Sequence, residues 1–143
     1  MSPRQPLHGT VAARWTTAAG WRGVLIIGSP GAGKSDLALR LIGRGWRLVA
    51  DDYAHVVASA GALYAVAPET IAGRMEARGV GILPACARGL TRLSLAVELT
   101  DEPVERLPEA ETRSLEGVTL PVLRLSGFEA SAVEKVAAAL ARL

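Results

Sequence analysis

Apolar and polar positions in the first third of the chain predict a hairpin, a helix and a further strand. The stretch from Leu7 to Trp15 alternates loosely and is rich in β-type residues, and after a small polar break the apolar run Val24 to Ile27 follows, which predicts a hairpin. Apolar residues then recur at helical spacing from Asp36 to Arg44, and Gly45 can end that helix. Trp46 to Ala50 reads as a short buried strand, which completes a strand-helix-strand unit.

The middle of the chain predicts a second hairpin and a second helix. Two short β-like runs between Tyr53 and Val66 flank a turn of small residues, a pattern typical of a hairpin. Pro68 and Glu69 suit the first turn of a helix, which is predicted to run to about Arg78. The segment from Gly79 to Pro84 carries two glycines, which indicate either an active-site loop or a tight turn.

The last third of the chain predicts two strands, a charged loop and a terminal helix. Thr91 to Leu99 alternates cleanly and predicts a half-buried strand, and Val118 to Leu125 predicts another. Asp101 to Glu116 is the most charged stretch and contains two prolines, which favours a long loop. The run from Ser131 to Glu134 fits a capping box that opens a helix serving as scaffold.

Composition narrows the class of protein. The 143 residues are one domain's worth, and 16 Lys and Arg against 14 Asp and Glu give a net charge of +2. The basic residues are scattered singly, which argues against a nucleic-acid or membrane surface. The single cysteine, Cys86, excludes an internal disulfide framework, suits a reducing cytosol and is expected to be a small buried apolar residue. Because no signal region and no membrane-length apolar run occur, we expect a soluble cytoplasmic protein.

One stretch fits the phosphate-binding P-loop pattern G-x-x-x-x-G-K-[ST] at every fixed position. Its residues are Gly28, Ser29, Pro30, Gly31, Ala32, Gly33, Lys34 and Ser35. A predicted strand precedes it and a predicted helix follows, as the motif requires. The simpler alternative, a glycine-rich turn that only joins strand to helix, does not account for the Lys-Ser pair.

The chemistry of the P-loop follows from its residue types. Glycines let the backbone curl so that its amides point at a phosphate, and the helix N-terminus adds its positive dipole end. Lys34 is predicted to reach the β- and γ-phosphates, and the Ser35 hydroxyl to ligate Mg²⁺. These residues therefore predict a nucleotide site.

Four acidic and basic side chains outside the P-loop are candidates for the same site. Asp51 and Asp52 end the predicted strand, and because successive strand residues point to opposite faces, one of them is expected to aim at the phosphate. A pair of solvated turn aspartates is the alternative. Glu76 falls at the end of the predicted helix, where the dipole disfavours a carboxylate and a ligand role gains weight. His8, judged on the residues alone, is more typical of an ordinary strand-end histidine.

Four segments together resemble the catalytic domain of HPr kinase/phosphorylase, from about Leu7 to Val122. They are His8-Gly9, the P-loop, Arg47-Leu48-Val49-Ala50-Asp51-Asp52, and Met75-Glu76-Ala77-Arg78-Gly79-Val80-Gly81-Ile82. The resemblance implies an α/β fold of the HPr kinase and phosphoenolpyruvate carboxykinase-like P-loop type, with a mixed β-sheet flanked by helices. It also implies an ATP- and Mg²⁺-dependent serine kinase whose substrate is HPr, the small phosphocarrier of the sugar phosphotransferase system, or a similar carrier.

The same resemblance implies a role for each candidate residue. Asp51 would take the proton of the serine hydroxyl, with Asp52 and His8 completing the pocket around it. Lys34 would offset charge on the transferring phosphoryl group, and Ser35 with Glu76 would hold Mg²⁺. Arg106 matches a later catalytic arginine that contacts phosphate on the acceptor side.

Two departures from the family pattern qualify these expectations. The chain begins at its hairpin strand, which matches a short form of 1–143 as a single catalytic domain. The segment from Val118 to Arg124 lacks the proline- and arginine-rich character associated with dephosphorylation, which argues against phosphorylase activity. A homo-oligomer is left open, since the contacts of the hexameric long members cannot be inferred.

Two other functions remain compatible with the residues. A small-molecule P-loop kinase would need a lid, for which the loop from Asp101 to Glu116 is the candidate. A nucleotide-responsive binding module would regulate a partner without turnover and would present the same motifs. A GTPase is disfavoured because no guanine-recognition stretch N-K-x-D appears.

Overall fold

The computed structural model describes residues 5–85 and 87–143, so Cys86 lies outside the described residues. In chain order the elements are β1 (Leu7–His8), β2 (Thr10–Thr16), β3 (Gly20–Ile27), α1 (Lys34–Ile42), β4 (Arg47–Ala50), β5 (Tyr53–Ser59), β6 (Ala62–Val66), a 3-10 turn (Glu69–Ile71), β7 (Arg74–Ala77), β8 (Gly81–Pro84), β9 (Thr91–Leu99), β10 (Glu111–Leu115), β11 (Val118–Leu125) and α2 (Ala132–Ala141). This is the mixed α/β architecture that the resemblance implied.

The P-loop lies at the carboxyl end of an inner strand, β3, of a mixed sheet. Within the described residues the sheet has nine strands, in the order β1-β5-β6-β9-β3-β2-β4, with β11 also on β9 and β10 on β11. Strand β3 pairs parallel with β9, which pairs parallel with β11. On its other side β3 pairs antiparallel with β2, and β2 pairs antiparallel with β4. The strands β4, β3, β9 and β11 therefore all run in the same direction, and their carboxyl ends lie at the same end of the sheet as the P-loop.

Both faces of the sheet are covered. On one face α1 and α2 pack through residues such as Leu37, Leu41 and Val136 against the sheet. On the other face the core consists of strand residues, among them Leu25 and Leu63, because the sheet curls over itself. Burying both faces stabilises the parallel strands that present the P-loop.

Strand β9 is more deeply buried than its alternating sequence predicted. Leu95 and Val97 belong to the helix-covered core, while Leu93 and Ala96 belong to the opposite core. The prediction of a half-buried strand was therefore wrong in degree, because parallel partners on both sides place β9 at the centre of the sheet.

The predicted helix from Pro68 to Arg78 was wrong. Only the 3-10 turn Glu69–Ile71 forms, and Gly73 then adopts φ 74, a left-handed conformation that ends any helical path. Residues Arg74–Ala77 form β7, which pairs with β8 in a two-stranded sheet of its own. The segment from Gly79 to Pro84 supplies the tight turn and second strand of this hairpin.

The charged stretch from Asp101 to Glu116 is a loop only in its first part, since β10 occupies Glu111–Leu115. Its charges pair across neighbouring strands: Arg113 lies 2.7 Å from Glu98, and Arg124 lies 2.8 Å from Glu98 and 2.9 Å from Glu111. The hydrogen bond to Glu111, and then the charge of Glu98, raise the pKa of the Arg124 guanidinium above its ordinary value. Such cross-strand pairs let a charged run form a strand.

The terminal helix lies where predicted but starts differently. Ser131 occupies the N-cap of α2, yet within the described residues its side chain makes no capping hydrogen bond, so the predicted capping box is wrong. Val133, Val136 and Leu140 are buried, as predicted. No helix in the described part of the chain is long and apolar enough to cross a membrane.

Candidate active site

The P-loop follows β3 and ends in the first turn of α1, as the motif predicted. The amide of Ala32 donates to the Ser29 carbonyl at 3.0 Å, which closes the loop. Gly31 and Gly33 adopt φ 82 and 101, conformations that glycine reaches without strain. The backbone path itself thus favours glycine at positions 31 and 33.

Lys34 lies across the P-loop rather than in solvent. Its side chain is 6% exposed, and its Nζ donates to the carbonyls of Gly28 at 2.9 Å and Ser29 at 3.2 Å. These bonds satisfy the ammonium and hold it beside the cavity. A phosphate oxygen would replace carbonyl oxygens as the acceptor.

Asp51 is a buried carboxylate that organises the base of the site. It is 6% exposed at the end of β4. Its Oδ1 accepts a hydrogen bond from Ser35 Oγ at 2.6 Å, and its Oδ2 accepts one from the Glu76 amide at 3.2 Å. Thr10 Oγ1 lies 3.4 Å from the same Oδ1. The carboxylate therefore fixes the P-loop hydroxyl and ties β7 to β4.

Asp52 points the other way, into the open cavity. It adopts φ 65, and the Tyr53 amide donates to the Asp51 carbonyl at 2.8 Å, the bonding pattern of a strained three-residue turn. The Gly9 amide donates to the Asp52 carbonyl at 2.8 Å. This turn sends two consecutive carboxylates to different places.

His8 stands beside Asp52 at the rim of the cavity. Its Nε2 lies 3.9 Å from Asp52 Oδ1, and both side chains are about half exposed. The imidazole also stacks on Tyr53, with ring centroids 5.2 Å apart. The short strand β1, paired with β5, positions His8.

A cavity of about 510 Å³ joins these groups, within the size range of small-molecule sites. The predicted site residues that line it are His8, Pro30, Gly31, Gly33, Lys34, Ser35, Asp52 and Glu76. Asp51 lies behind Ser35 rather than on the wall. Phe128 also lines the cavity and had no role in the sequence prediction, whereas Arg78, another lining residue, entered it only as part of the segment from Met75 to Ile82.

Glu76 reaches the cavity from a strand. In β7 its neighbours Met75 and Ala77 are buried while Glu76 is exposed, because alternate strand residues face opposite sides. The helix-dipole argument for a ligand role therefore does not apply. Its position in the cavity wall is the evidence that replaces it.

The oxygens near Ser35 suit a hard cation that also binds phosphate. No group of three or more His, Cys, Asp or Glu able to hold a metal occurs in the described part of the chain. Mg²⁺ at a P-loop needs fewer protein ligands, because phosphate oxygens and water complete its shell. The hydroxyl of Ser35, with the carboxylates of Asp51 and Glu76 nearby, fits that need.

Arg106 is not brought into the site. It lies in the exposed loop between β9 and β10 and is absent from the described residues that line the cavity. That loop starts at the carboxyl end of β9, which lies at the same end of the sheet as the P-loop because β9 is parallel to β3.

A parallel strand, a P-loop, a helix and a carboxylate held against the P-loop serine define a domain of the P-loop nucleotide-binding class. The family model described as HPr Serine kinase C-terminal domain matches residues 1–140. The chain belongs to the HPr kinase C-terminal domain family.

Individual relatives agree with this assignment. The HPr kinase/phosphorylase of Limosilactobacillus reuteri (strain DSM 20016) is 35% identical over 134 residues, which covers 85% of this chain and 40% of that protein. The HPr kinase/phosphorylase of Brevibacillus brevis is 43% identical over 84 residues, covering 58% and 25%. The chain thus spans about 40% of the length of the first of these curated relatives.

A solved structure shares the fold. The Hpr(Ser) kinase/phosphatase from Coxiella burnetii superposes with a TM-score of 0.78 at 23% identity, covering 97% of this chain and 89% of that chain. The predicted fold class is confirmed by this match.

Proposed function

We propose that the chain is an ATP- and Mg²⁺-dependent protein serine kinase that phosphorylates HPr or an HPr-like phosphocarrier. The observation that carries the proposal is the divergence of Asp51 and Asp52 around the P-loop, one carboxylate on Ser35 and the other in the open cavity. A kinase needs both, since one group must position the phosphate-binding side and another must meet the acceptor hydroxyl.

The proposed step is an in-line displacement. The serine oxygen of the carrier bonds to the γ-phosphorus, the bond from that phosphorus to the β,γ-bridging oxygen breaks, and ADP leaves. Lys34 offsets negative charge on the transferring group, and the P-loop amides hold the remaining phosphates. Bound Mg²⁺ would neutralise phosphate charge, held by Ser35 and Glu76 with Asp51 orienting the serine.

The proton of the acceptor hydroxyl is assigned here to Asp52. Family resemblance gave this role to Asp51, but the Asp51 oxygens already accept hydrogen bonds from Ser35 and the Glu76 amide. Asp52 lines the cavity beside His8 and has room for an acceptor. His8 would orient the Asp52 carboxylate and share its charge. Arg106 is proposed to reach the acceptor side only when the carrier is bound.

The remaining expectations accompany this proposal. We propose that residues 1–143 act as one catalytic domain in the cytoplasm, with no nucleic-acid or membrane partner, and that phosphorylase activity is disfavoured. His8 and Asp52 are about half exposed at the rim of the cavity, which suits contact with a protein surface better than an enclosed small molecule.

Incubation with labelled ATP, Mg²⁺ and the host's HPr-type carrier tests the proposal. We expect label on a serine of the carrier, stable in acid, and no transfer with the Lys34→Ala variant. Normal nucleotide binding with no transfer would refute the kinase in favour of a regulatory binding module. Label on a small metabolite instead of the carrier would favour a small-molecule kinase. Labelled pyrophosphate, formed when inorganic phosphate is added to the labelled carrier, would show that phosphorylase activity is present after all.

A further inference from the structure

Phe128 is an exposed aromatic side chain in the wall of the P-loop cavity. It is the single phenylalanine of the sequence, it is 66% exposed, and it lines the cavity together with Pro30 and Leu39. A Cβ placed at Gly33 would lie 3.1 Å from the Phe128 ring. The ring thus forms, with Pro30 and Leu39, an apolar part of the cavity wall directly beside the P-loop.

The backbone around Phe128 is tightly fixed. Gly127 is buried, and a Cβ there would lie 2.5 Å from the Ala32 carbonyl oxygen and 2.9 Å from Leu99 Cδ1. The Arg40 guanidinium, from α1, donates to the carbonyl of Gly127 and, at 3.5 Å, to that of Glu129. The residues directly before and after Phe128 are therefore fixed by packing and hydrogen bonds. The exposed position of the Phe128 side chain follows from this fixed backbone.

Sheet order places Phe128 and Asp52 on opposite sides of the P-loop. Phe128 follows β11, which is reached from β3 through β9, whereas Asp52 follows β4, which is reached from β3 through β2. The P-loop at the end of β3 lies between them. A triphosphate whose γ-phosphate faces Asp52 therefore extends its other end toward the Phe128 side.

We propose that Phe128 is the stacking surface for the nucleobase of the bound nucleotide. The inference rests on the proposed function, because it assumes that the P-loop binds a nucleoside triphosphate. A phenyl ring offers a π-face without hydrogen-bonding groups, so it stabilises purines by stacking and does not distinguish adenine from guanine. Phe128 thereby sets affinity for the base while the P-loop sets affinity for the phosphates.

Calorimetric titration with Mg²⁺-ATP, Mg²⁺-GTP and Mg²⁺-tripolyphosphate separates the two contributions. In Phe128→Ala we expect ATP and GTP affinity to fall roughly 5- to 100-fold, with tripolyphosphate affinity unchanged. Phe128→Tyr retains an aromatic face and should bind both nucleotides within about threefold of the unmodified protein. Leu107→Ala, which truncates a 90% exposed leucine outside the cavity, is the matched control.

Three results would overturn the inference. Equal losses of ATP and tripolyphosphate affinity in Phe128→Ala would mean that the ring supports the P-loop instead of the base. Unchanged ATP affinity with a raised KM for the carrier would mean that the ring contacts the acceptor. If the unmodified protein binds neither ATP nor tripolyphosphate, the nucleotide site itself fails and the stacking role with it, whereas binding without transfer refutes the kinase alone.

Discussion

Replacing Asp51 and Asp52 one at a time by asparagine separates two roles that the sequence could not separate. Asp51→Asn keeps the shape of the side chain but replaces a charged acceptor of the Ser35 hydroxyl by a neutral one. A hydrogen bond to a charged group contributes about 1.5–3 kcal/mol, roughly twice a neutral bond. The substitution should therefore lower the free energy of unfolding by about 1–2 kcal/mol, which lowers Tm by about 3–6 °C for a chain of this size.

The same change should weaken nucleotide binding. With Ser35 less firmly oriented toward the cation, we expect affinity for Mg²⁺-ATP to fall on the order of 10-fold. Asp52→Asn behaves differently, because Asn also tolerates the left-handed backbone at this position and the side chain is about half exposed. Its Tm should stay within about 2 °C and its nucleotide affinity should not change, while phosphoryl transfer falls by about 10²- to 10⁴-fold.

Differential scanning fluorimetry, calorimetry and the transfer assay on both variants decide the matter. Suppose Asp51→Asn keeps its Tm and its Mg²⁺-ATP affinity but loses transfer, while Asp52→Asn remains active. The assignment of the acceptor proton to Asp52 would then be wrong, and the role implied by family resemblance for Asp51 would be correct.

Three further substitutions test other parts of the site. Lys34→Ala removes the ammonium at the P-loop and should lower ATP affinity on the order of 100-fold and abolish transfer; an unaffected titration would exclude the P-loop as the binding site. Glu76→Gln keeps the backbone bond to Asp51 and should leave Tm unchanged while raising the Mg²⁺ concentration needed for transfer about 10-fold; an unchanged Mg²⁺ requirement would remove Glu76 from the metal site. Gly127→Ala adds a methyl group that would overlap the Ala32 carbonyl, so it should lower the free energy of unfolding by about 1–3 kcal/mol. Gly89→Ala is the control, since it has open space around it and should leave Tm unchanged. Equal Tm values for the two variants would contradict the tight packing at Gly127.

Local sequence signals predicted the parts of the fold that depend on neighbouring residues. The P-loop, α1 and the flanking hairpin follow from residue types at fixed short spacings, and the structure confirms these elements. The wrong prediction of a helix around Glu76 also came from local sequence signals. Pro68 and Glu69 are a good local helix start, but the left-handed Gly73 and the pairing of β7 with β8 override it.

Features that depend on distant residues were beyond the sequence. β10 forms because its charges meet Glu98 and Arg124 on other strands, a pairing invisible in a stretch that reads as solvated. The sequence predicted that Asp51 and Asp52 point to different sides, but which of them is buried against Ser35 depends on a three-residue turn and on the position of Ser35. Phe128 enters the cavity only because β11 lies parallel to β9.

The parallel pairing of β3 with β9 has a consequence for how the protein forms. In this pair Gly23 lies opposite Leu93 and Ile27 lies opposite Glu98. The strand that leads into the P-loop can therefore pair on this side only after a much later segment of the chain is available. Pairings between strands so far apart in the chain slow folding, because the entropy of closing the intervening loop is lost before the new contacts stabilise the pair. During synthesis the sheet around the P-loop therefore cannot be completed until β9 has left the ribosome. A nucleotide that binds only the folded domain would then stabilise the finished domain and not its N-terminal intermediates.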